Sequence, residues 1–475
     1  MRNAVTNWTR HCNMHASRRG RFPCTIALTF APSTPMNLTE ITNALYFGLD
    51  EAWTNVVQYV DRGGWWLLLA FLPFIIFDLR RFLAPSLVLL TMRWLGLPRE
   101  RDAAAERFLA THPKVSVVLA GYNEEGAIVA AITSLLETGY PDLDIIVVDD
   151  GSDDRTSQLA LPFAQKGQIR LVRNSAATGR GGKPGGMNLG TKLATGDFLV
   201  YLDVDTSFDR DLLQHLIGPF SDPRVGVVAG NLKVRNSGVS FWTRMQAVEY
   251  LIAIGLHRRW LNVFGSNYLA SGACCAYRRT VLESFGGCDV ATAEDLDNTL
   301  KARRGGWKAV FAPRAIATTD VPETLRVLVR QRMRWDRDLV RVAFRKHLDL
   351  LDGRRYGALL SLELWQVLLV SVLANLAYIV YVAVMLAVAP VLLIAVLAVC
   401  ALIYAAMAML SLGTALVFSE RRNEELWLLA WAPLLPFYNE VFFRWVRIYA
   451  TILELLRINQ EDPYLPQSAW RNVRF

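Results

Sequence analysis

The sequence predicts an α/β domain with a mainly parallel, helix-covered sheet, combined with α-helices that contact or cross a membrane. Between residues 111 and 320, short apolar runs of strand length alternate with helical stretches of about ten residues. Long apolar segments lie on both sides of this region. The 475 residues are 53% hydrophobic, a high fraction for a soluble protein. We therefore expect an integral membrane protein with a water-soluble middle.

The net charge of +8 is basic, and the basic residues stand beside the apolar segments. Such residues bind the anionic surface of a lipid bilayer and mark its cytoplasmic side. We therefore expect these basic residues to contact the lipid bilayer and not nucleic acid. The six cysteines have no metal-ligand spacing, and a reducing cytoplasm suits them.

These patterns divide the chain into six regions. Residues 1–35 are basic and lack the apolar core of a signal peptide, so Met36 is a more natural start. The regions are a disordered leader (1–50), an N-terminal transmembrane and interfacial helix (51–110), the α/β domain (111–320), amphipathic interfacial helices (321–357), a C-terminal transmembrane region (358–456) and a cytoplasmic tail (457–475).

Several apolar segments are long enough to reach into or across a bilayer. Trp65–Phe77 with its neighbours predicts one crossing, and the arginines after it place the α/β domain in the cytoplasm. Phe82–Leu97 predicts a helix on the membrane surface, with a second crossing as the alternative. Leu364–Ala389 and Val391–Phe418 predict two further crossings, and residues 426–456 predict a re-entrant or interfacial helical pair.

Acidic residues directly follow two of the predicted strands. Asp149 and Asp150 follow the second strand, and Asp203 and Asp205 follow the fourth. Ligands of parallel α/β sheets bind beyond the carboxyl ends of the strands. The predicted strands are Val115–Leu119, Ile145–Val148, Ile169–Val172, Phe198–Leu202 and Val225–Val228.

These acidic residues suit the binding of a nucleotide. Asp203 and Asp205, at positions i and i+2 of a loop, are able to reach one divalent cation and a diphosphate, although a helix cap or a turn is the alternative. Asp150 is a candidate acceptor for the N–H groups of a nucleobase, and Gly151 allows a tight turn there. An ordinary strand-ending turn is the alternative.

Two later segments carry further candidates. Gly179–Gly190 is dense in glycine and contains Lys183, so we expect a mobile loop that closes on phosphates, or a plain mobile loop. It is not a Walker loop, because Pro184 follows the lysine. Asp295 precedes the predicted helix Leu296–Arg303 and is a candidate general base, with a carboxylate that stabilises the helix start as the alternative.

The segment Gln331-Arg-Met-Arg-Trp335 places a forked cation next to a large aromatic ring. Arg334 is suited to neutralise a leaving diphosphate, and Trp335 to stack on a sugar ring. The predicted helix from Pro322 to about Leu351 mixes arginines with apolar residues and suits the inner leaflet of a membrane. A helix on the domain surface, with its arginines in water, is the alternative.

Taken in order, these motifs resemble the membrane-integrated, processive family 2 glycosyltransferases. That group includes cellulose, chitin, hyaluronan and poly-β-1,6-N-acetylglucosamine synthases, and the resemblance is greatest to the bacterial poly-N-acetylglucosamine synthases. This chain departs from the family at Ala293, where threonine is usual, and at Asp336-Arg337-Asp338, where a small residue and a glycine are common. The motifs are Tyr122–Glu125, Val148–Ser152, Asp203–Asp205, Ser271-Gly272, Glu294-Asp295 and Gln331–Trp335.

The resemblance implies a GT-A (nucleotide-diphospho-sugar transferase) fold and an inverting, processive transfer from a UDP-sugar, with UDP-N-acetylglucosamine favoured. The implied product is a β-linked exopolysaccharide that is exported across the bacterial inner membrane by a multi-pass protein. The implied roles are uridine binding by Tyr122, Glu124 and Asp150, nucleotide binding by Asp203, binding of Mg²⁺ or Mn²⁺ by Asp205 with Asp203, diphosphate binding by Lys183 and Arg334, general base catalysis by Asp295, and acceptor binding by Ser271, Gly272, Gln331 and Trp335.

Three alternatives stay open at this point. One is a β-glucan synthase that uses UDP-glucose, and another is an enzyme that adds one sugar to a lipid acceptor. The third is a transport or scaffold protein with a degenerate transferase domain. Because the predicted crossings are too few to enclose a growing polysaccharide, we also expect a small membrane partner subunit or a homo-oligomer.

Overall fold

The computed structural model describes residues 82–97, 103–174 and 181–458, together with residues 50, 54, 58 and 69. The chain forms two units, Met1–Thr54 and Asn55–Phe475, and nearly all described residues belong to the second. Apart from single positions, the predicted leader, the crossing over Trp65–Phe77 and most of the predicted tail lie outside the described residues.

An eight-stranded sheet forms the centre of the α/β domain. Its strands are β1 (Val115–Gly121), β2 (Leu143–Asp149), β3 (Arg170–Arg173), β4 (Phe198–Leu202), β5 (Ser207–Phe208), β6 (Val225–Val234), β7 (Cys274–Arg278) and β8 (Lys308–Thr319). Their spatial order is β3-β2-β1-β4-β7-β6-β8-β5. Strands β1 to β4 run parallel, as do β6 and β8, whereas β7 is antiparallel to both its neighbours and β5 to β8. All five predicted strands are present, and the sheet is mixed because β5 and β7 reverse direction.

The centre of the parallel part of the sheet is buried on both faces. Strand β4 and residues 115–119 of β1 are almost fully buried and, apart from Ser116, apolar, as expected for strands between two helical layers. The helices of this domain are α2 (Ala103–Leu109), α3 (Ile128–Glu137), α4 (Thr156–Gln165), α5 (Gly182–Leu193), α6 (Leu212–Ile217), α7 (Phe241–Tyr250), α8 (His257–Val263), α9 (Arg279–Phe285) and α10 (Glu294–Arg304). The carboxyl ends of β2 and β4 therefore open at one edge, where Asp150 and Asp203 follow them.

The mobile loop expected over Gly179–Gly190 is wrong for residues 182–190, which belong to helix α5. Residues 182–193 are helical, and Gly186 and Gly190 pack against the sheet. A Cβ on Gly186 would lie 2.9 Å from the Cβ of Ala120, and one on Gly190 would overlap the side chain of Val118. The glycines therefore serve close approach of a helix to β1 rather than mobility. Glycine density alone does not distinguish these two uses.

The rest of the described chain is helical. Its helices are α1 (Phe82–Trp94), α11 (Leu325–Arg341), α12 (Gly353–Tyr356), α13 (Ala358–Leu368), α14 (Ala374–Val388), α15 (Pro390–Val417), α16 (Arg422–Glu425) and α17 (Arg444–Leu455), with short 3₁₀ or π turns between several of them. Two continuous helical segments of the described residues, Ala358–Val388 and Leu392–Val417, are long and apolar enough to cross a membrane. They correspond to the two crossings predicted over 364–418. The pair Arg422–Leu434 and Phe437–Leu455 bends by 45°, which suits either a broken crossing or a re-entrant pair.

Helix α1 lies alongside α15. The Phe82 ring is 6.5 Å from the Tyr404 ring, and Ser411 donates a hydrogen bond to the Phe82 carbonyl. Near the carboxyl ends of the two helices, Arg93 stacks over the Phe418 ring at 5.6 Å. Since both helices advance in the same direction, α1 is a parallel neighbour of a candidate crossing. The surface helix over Phe82–Leu97 and its alternative, a second crossing, both stay predictions.

Ion pairs tie the loop after α15 to the α/β domain. Lys233 on β6 lies 2.6 Å from Glu425, and Arg259 on α8 lies 3.0 Å from Glu420. Arg421 pairs with Asp209 at 2.5 Å. The loop from Ser419 to Glu425 is therefore on the same side of the two candidate crossings as the α/β domain.

Candidate active site

The carboxyl end of β4 carries a lysine between two acidic side chains. Lys183 Nζ, in the first turn of α5, lies 2.5 Å from Asp203 Oδ1 and 3.5 Å from Glu294 Oε1. Asp205 follows two residues later and accepts a hydrogen bond from the Thr206 hydroxyl at 3.2 Å. Residues from two distant parts of the chain, near 183 and near 294, therefore meet at the end of a central strand.

Asp295 joins this cluster through a close approach of Gly272. The Gly272 N–H donates to Asp295 Oδ2 at 3.0 Å. A Cβ on Gly272 would lie 3.2 Å from Lys183 Nζ and 3.3 Å from the Asp295 Cβ, so the loop with Ser271 and Gly272 lies directly against the acidic cluster. Ala293 adopts a left-handed backbone conformation, with φ of 57°, at the start of α10. That unusual conformation turns the chain so that Glu294 and Asp295 begin the helix facing the cluster.

Asp150 lies beside the amino end of α5. Its Oδ1 accepts hydrogen bonds from Asn174 Nδ2 at 2.9 Å and from the Gly181 N–H at 3.1 Å. Its Oδ2 is buried and has no hydrogen-bond partner among the described residues. Such an atom is rare in a folded protein and suits an N–H donor from a ligand. Gly181 stands two residues before Lys183, so Asp150 and the lysine border one site.

The loop that holds Tyr122 and Glu124 is joined to the loop after β2. The Tyr122 hydroxyl donates to Asp153 Oδ2 at 2.7 Å, and the Glu124 N–H donates to the Thr156 hydroxyl at 2.8 Å. Asn123 has a positive φ of 59° between them. These contacts bring both candidate uridine ligands to the edge of the sheet where Asp150 lies.

The acidic residues of this site repel one another. Burial raises the pKa of Glu124 to about 7, with further contributions from the negative charges of Asp205 and Asp203. Burial and the neighbouring Asp203 carboxylate also raise the pKa of Asp205. Desolvation lowers the pKa of Lys183, but the carboxylates of Asp203 and Glu294 outweigh it, so the net shift is upward. Perturbed ionisation of this kind is common at functional sites.

Helix α11 carries the Gln331–Trp335 segment along the edge of the site. The Trp335 side chain is 39% exposed, and Arg332 stacks over its ring at 4.7 Å from the ring centre. Gln331 Oε1 is buried without a hydrogen-bond partner among the described residues. The helix is joined to the acidic cluster by the Thr292 hydroxyl, which donates to Asp338 Oδ1 at 2.5 Å just before Glu294.

The departures from the family motif serve contacts inside the protein. Asp336 pairs with Arg447 at 3.3 Å, and Arg337 with Glu454 at 3.0 Å, both on α17. Burial raises the pKa of Asp338 to about 7, against the hydrogen bond from Thr292 and the charge of Arg341. Several arginines that we placed on the membrane surface are therefore ion-pair partners within the fold, whereas Arg326 and Arg330 are exposed.

Sequence reasoning missed two charged residues near the site. Arg258 on α8 is only 8% exposed, and burial lowers the pKa of its guanidinium while Asp295 opposes that shift. Glu249 on α7 binds Arg332 of the Gln331–Trp335 segment. Both residues stand within the apolar stretch from Ala247 to Trp260, and this is the signal in the sequence by which they could have been found, since charges are rarely buried without a partner.

Comparison with known proteins supports this description. Residues 116–286 match the family described as Glycosyl transferase family 2. The chain is similar to the poly-beta-1,6-N-acetyl-D-glucosamine synthases of Staphylococcus epidermidis, at 30% identity over 223 residues, and of Staphylococcus aureus, at 29% identity over 244 residues. These matches cover 46% and 51% of this chain, and 53% and 58% of the relatives. The chain thus spans little more than half the length of the curated relatives that it matches.

Among solved structures, the chain is similar to a mannosyltransferase from Pyrobaculum calidifontis determined in complex with GDP-Man and Mn²⁺. The TM-score is 0.54 at 23% identity, over 81% of this chain and 98% of that one. At this identity the similarity concerns the fold alone. The sheet therefore has a GT-A-like fold, and residues 116–286 form a family 2 glycosyltransferase domain, which confirms the expected fold class and the resemblance.

Proposed function

We propose that this glycosyltransferase domain transfers sugars from a UDP-sugar, with UDP-N-acetylglucosamine favoured, onto a growing β-linked exopolysaccharide that is exported across the inner membrane. One observation carries the proposal: Lys183, Asp203 and Asp295 meet at the carboxyl end of β4, and Thr292, just before Glu294, binds Asp338 on the helix that carries Trp335. This contact joins the donor site that we propose to the helix with the aromatic acceptor surface. The similarity to two staphylococcal poly-beta-1,6-N-acetyl-D-glucosamine synthases supports the choice of sugar.

The uridine of the donor binds at the edge of the sheet next to β2. The unpartnered Asp150 Oδ2 accepts the N–H of the base, since a buried carboxylate oxygen needs such a donor. Tyr122 and Glu124 border the same side of the site, and Asp203 lies further toward the phosphates. The Asn174 and Gly181 donors hold Asp150 in place for this contact.

The residues present fit a divalent cation. Asp203 and Asp205 would hold Mg²⁺ or Mn²⁺, and the remaining ligands would come from phosphate oxygens and water. Burial and, to a smaller extent, the neighbouring carboxylates raise the pKa values of Glu124 and Asp205, and a cation would offset the negative charge of these groups. When bound, the ion supplies charge stabilisation for the diphosphate. The Pyrobaculum calidifontis mannosyltransferase, which shares the fold, contains Mn²⁺.

Asp295 acts as the general base. Its carboxylate takes the proton from the acceptor hydroxyl while that oxygen attacks the anomeric carbon of the donor. The bond from the anomeric carbon to the diphosphate breaks on the opposite face, and UDP leaves with the electron pair. One such displacement inverts an α-linked donor to a β-glycoside. The Gly272 N–H donates to Asp295 Oδ2 and the Leu296 N–H donates to Oδ1, so both carboxylate oxygens are held in place and each keeps a lone pair for the acceptor hydroxyl.

Two cations receive the leaving group. Lys183 shifts from its contact with Asp203 to the diphosphate, because the added phosphate charge competes with the carboxylate. Arg334, one turn before Asp338 on α11, approaches from the acceptor side. Preorganised positive charge stabilises the diphosphate as the glycosidic bond breaks.

The acceptor end of the polymer binds between the Ser271-Gly272 loop and α11. Trp335 stacks on a sugar ring, and Gln331 offers its unpartnered Oε1 to a sugar hydroxyl. The two candidate crossings follow α11 closely along the chain, so the product is released next to the bilayer, with the catalytic domain on the cytoplasmic face. A small membrane partner or a second copy of the chain completes the path for the polymer.

A product assay tests the proposal. The protein in lipid vesicles is incubated with Mg²⁺ or Mn²⁺ and, separately, with UDP-N-acetylglucosamine and UDP-glucose, and the products are sized and digested with linkage-specific hydrolases. We expect a ladder of products from UDP-N-acetylglucosamine. A ladder from UDP-glucose alone indicates a β-glucan synthase, and a single lipid-linked product indicates non-processive transfer. Absence of UDP release from every donor refutes the transferase activity.

A further inference from the structure

Glu249 forms a buried contact with the helix that presents the acceptor surface. It lies near the end of α7, and its carboxylate receives both terminal nitrogens of Arg332, at 2.8 and 2.6 Å. The Tyr438 hydroxyl donates to the same carboxylate at 3.3 Å. The side chains of Arg332 and Glu249 are only 14% and 20% exposed. A bidentate pair in this environment fixes the plane of the guanidinium as well as its position.

The fixed guanidinium supports the ring of Trp335. Arg332 Cζ lies 4.7 Å from the centre of that ring and 6.0 Å from the centre of the Phe443 ring. Arg332 precedes Trp335 by one turn of α11, so the two side chains are neighbours on one helix face. A cation over an indole face is attractive, and more so when desolvated. One face of Trp335 is thereby occupied, while the residue keeps 39% of its surface exposed.

Helix α7, which carries Glu249, also borders the donor site. Tyr250 follows Glu249 directly, and the charges of Arg332, Arg258 and Asp205 all reach its hydroxyl. A π-helical turn, Leu251–Leu256, follows Tyr250, and such turns often occur at functional sites. The end of α7 therefore lies between the carboxylates that we assign to the donor and the tryptophan that we assign to the acceptor.

We infer that Glu249 is a positioning residue for the acceptor, which holds Arg332 against Trp335 and so fixes the angle of the aromatic surface on which the sugar chain binds. The inference rests on the proposed function. Without the carboxylate, Arg332 loses the partner that orients it, and Trp335 is free to change rotamer. Binding of the acceptor then weakens, whereas binding of the donor, which uses other residues, does not.

Three variants and one matched control test the inference. Glu249→Gln removes the charge, Glu249→Asp shortens the side chain, and Arg332→Lys keeps the charge but loses the fork. Glu420→Gln is the control, because Arg259 pairs with Glu420 at 3.0 Å and lies 5.8 Å from the Phe418 ring, in a similar pair away from the site. The measurements are the KM for the UDP-sugar, UDP release without acceptor, product length, and the Kd for an oligomer of β-linked N-acetylglucosamine.

We expect Glu249→Gln and Arg332→Lys to raise the oligomer Kd by about tenfold, which corresponds to ~1.4 kcal/mol. Products become shorter, and Glu249→Asp gives an intermediate effect. The KM for the UDP-sugar and UDP release without acceptor stay within about twofold of the wild type, as they do in Glu420→Gln.

The outcomes separate the two ideas. If the wild type binds the oligomer and turns over the UDP-sugar while Glu249→Gln behaves like Glu420→Gln, the positioning role is wrong and the proposed function stands. If Glu249→Gln loses donor and oligomer binding together, the residue serves the fold and the inference is also wrong. If the wild type neither turns over a UDP-sugar nor binds the oligomer, the proposed function fails and the inference fails with it.

Discussion

Helix α10 carries two aspartates, two residues apart, whose surroundings are opposite. Asp295 faces the acidic cluster and receives the Gly272 N–H at 3.0 Å. Asp297 is fully buried on the other side, between the cations of Lys301 at 2.9 Å and Lys346 at 2.8 Å and the imidazole of His347 at 2.7 Å. Burial favours the neutral form of Asp297, but the hydrogen bond from His347 and the charge of Lys301 outweigh it and hold its pKa well below the usual range.

The difference shows how one type of residue serves two purposes. A buried carboxylate surrounded by cations contributes to the stability of the fold, because its charge is compensated where it lies. A carboxylate that lies among other carboxylates and next to a partly exposed lysine has charge that its neighbours do not fully compensate, which is common at ligand-binding sites. The side of α10 with Asp295, its front, is therefore suited to chemistry. The side with Asp297, its back, holds the helix against the residues that follow α11.

The largest expected effect comes from the back of the helix. Asp297→Asn leaves Lys301 and Lys346 without their shared buried counter-charge, so we expect a loss of about 3–5 kcal/mol in the free energy of unfolding. Thermal unfolding of the purified protein measures the loss. Lys346 and Lys301 also contact Asp289, which limits the loss if that exposed carboxylate takes over. A melting temperature equal to that of the wild type would contradict the structural role.

This contribution has a defined pH dependence. The pKa of Asp297 is lower in the folded protein than in the unfolded chain, so its stabilisation is present above the unfolded pKa of about 3.9 and is lost as the pH falls below it. The difference in the free energy of unfolding between the wild type and Asp297→Asn is therefore expected to be constant from about pH 6 to pH 7 and to shrink below about pH 4. A difference that grows on acidification would reverse the assignment.

The front of the helix gives the next effect. Asp295→Asn is expected to lower sugar transfer by about 10²-fold or more, because the amide takes no proton from the acceptor, while UDP binding persists. The melting temperature stays near that of the wild type, in contrast to Asp297→Asn. Initial rates of UDP release and calorimetric UDP binding measure the two effects. Near-normal polymer output from this variant would remove Asp295 from the role of base.

Helix α5 offers a smaller version of the same contrast between a packed and an open side. A Cβ at Gly190 would overlap Val118, so we expect Gly190→Ala to destabilise the fold by about 1–3 kcal/mol. A Cβ at Gly185 meets nothing within 4 Å, so Gly185→Ala is expected to stabilise the helix by roughly 0.5–1 kcal/mol. Chemical unfolding of the two variants compares them. Equal effects would indicate that residues 182–190 are not the packed helix described above.

The smallest effect concerns metal affinity at the front. The pKa of Glu124 is about 7, so its negative charge appears as the pH rises through neutrality. Mn²⁺ affinity is therefore expected to rise severalfold, roughly 2- to 5-fold, between pH 6 and pH 8, since the ionised form attracts the cation. Glu124→Gln should flatten this rise, and titration calorimetry with UDP present measures it. An identical pH dependence in the variant would assign the effect to other groups.

Sequence patterns predicted much of the fold and most of the candidate site. All five proposed strands are present, and the two apolar runs over 364–418 are helices long enough to cross a membrane. Asp150, Asp203 and Asp295 lie where strand ends and a helix start were expected. The expected mobile loop is wrong because the glycines of residues 182–190 look the same in sequence whether they serve mobility or close contact with β1. The position of α11 on the inner leaflet stays a prediction, and the sequence does not reveal that Glu454 is the partner of Arg337.

The sequence by itself determined five of the eight strands, the two long apolar segments over 364–418 and the acidic residues after β2 and β4, because these follow from local periodicity and from adjacency along the chain. Only the tertiary structure decided which charges meet. Glu249 and Arg332 are 83 residues apart, and Lys183 and Glu294 are 111 residues apart, so no local pattern links them. Pairing of buried charges depends on distance in space and on exclusion of water, and both exist only after the elements have packed together.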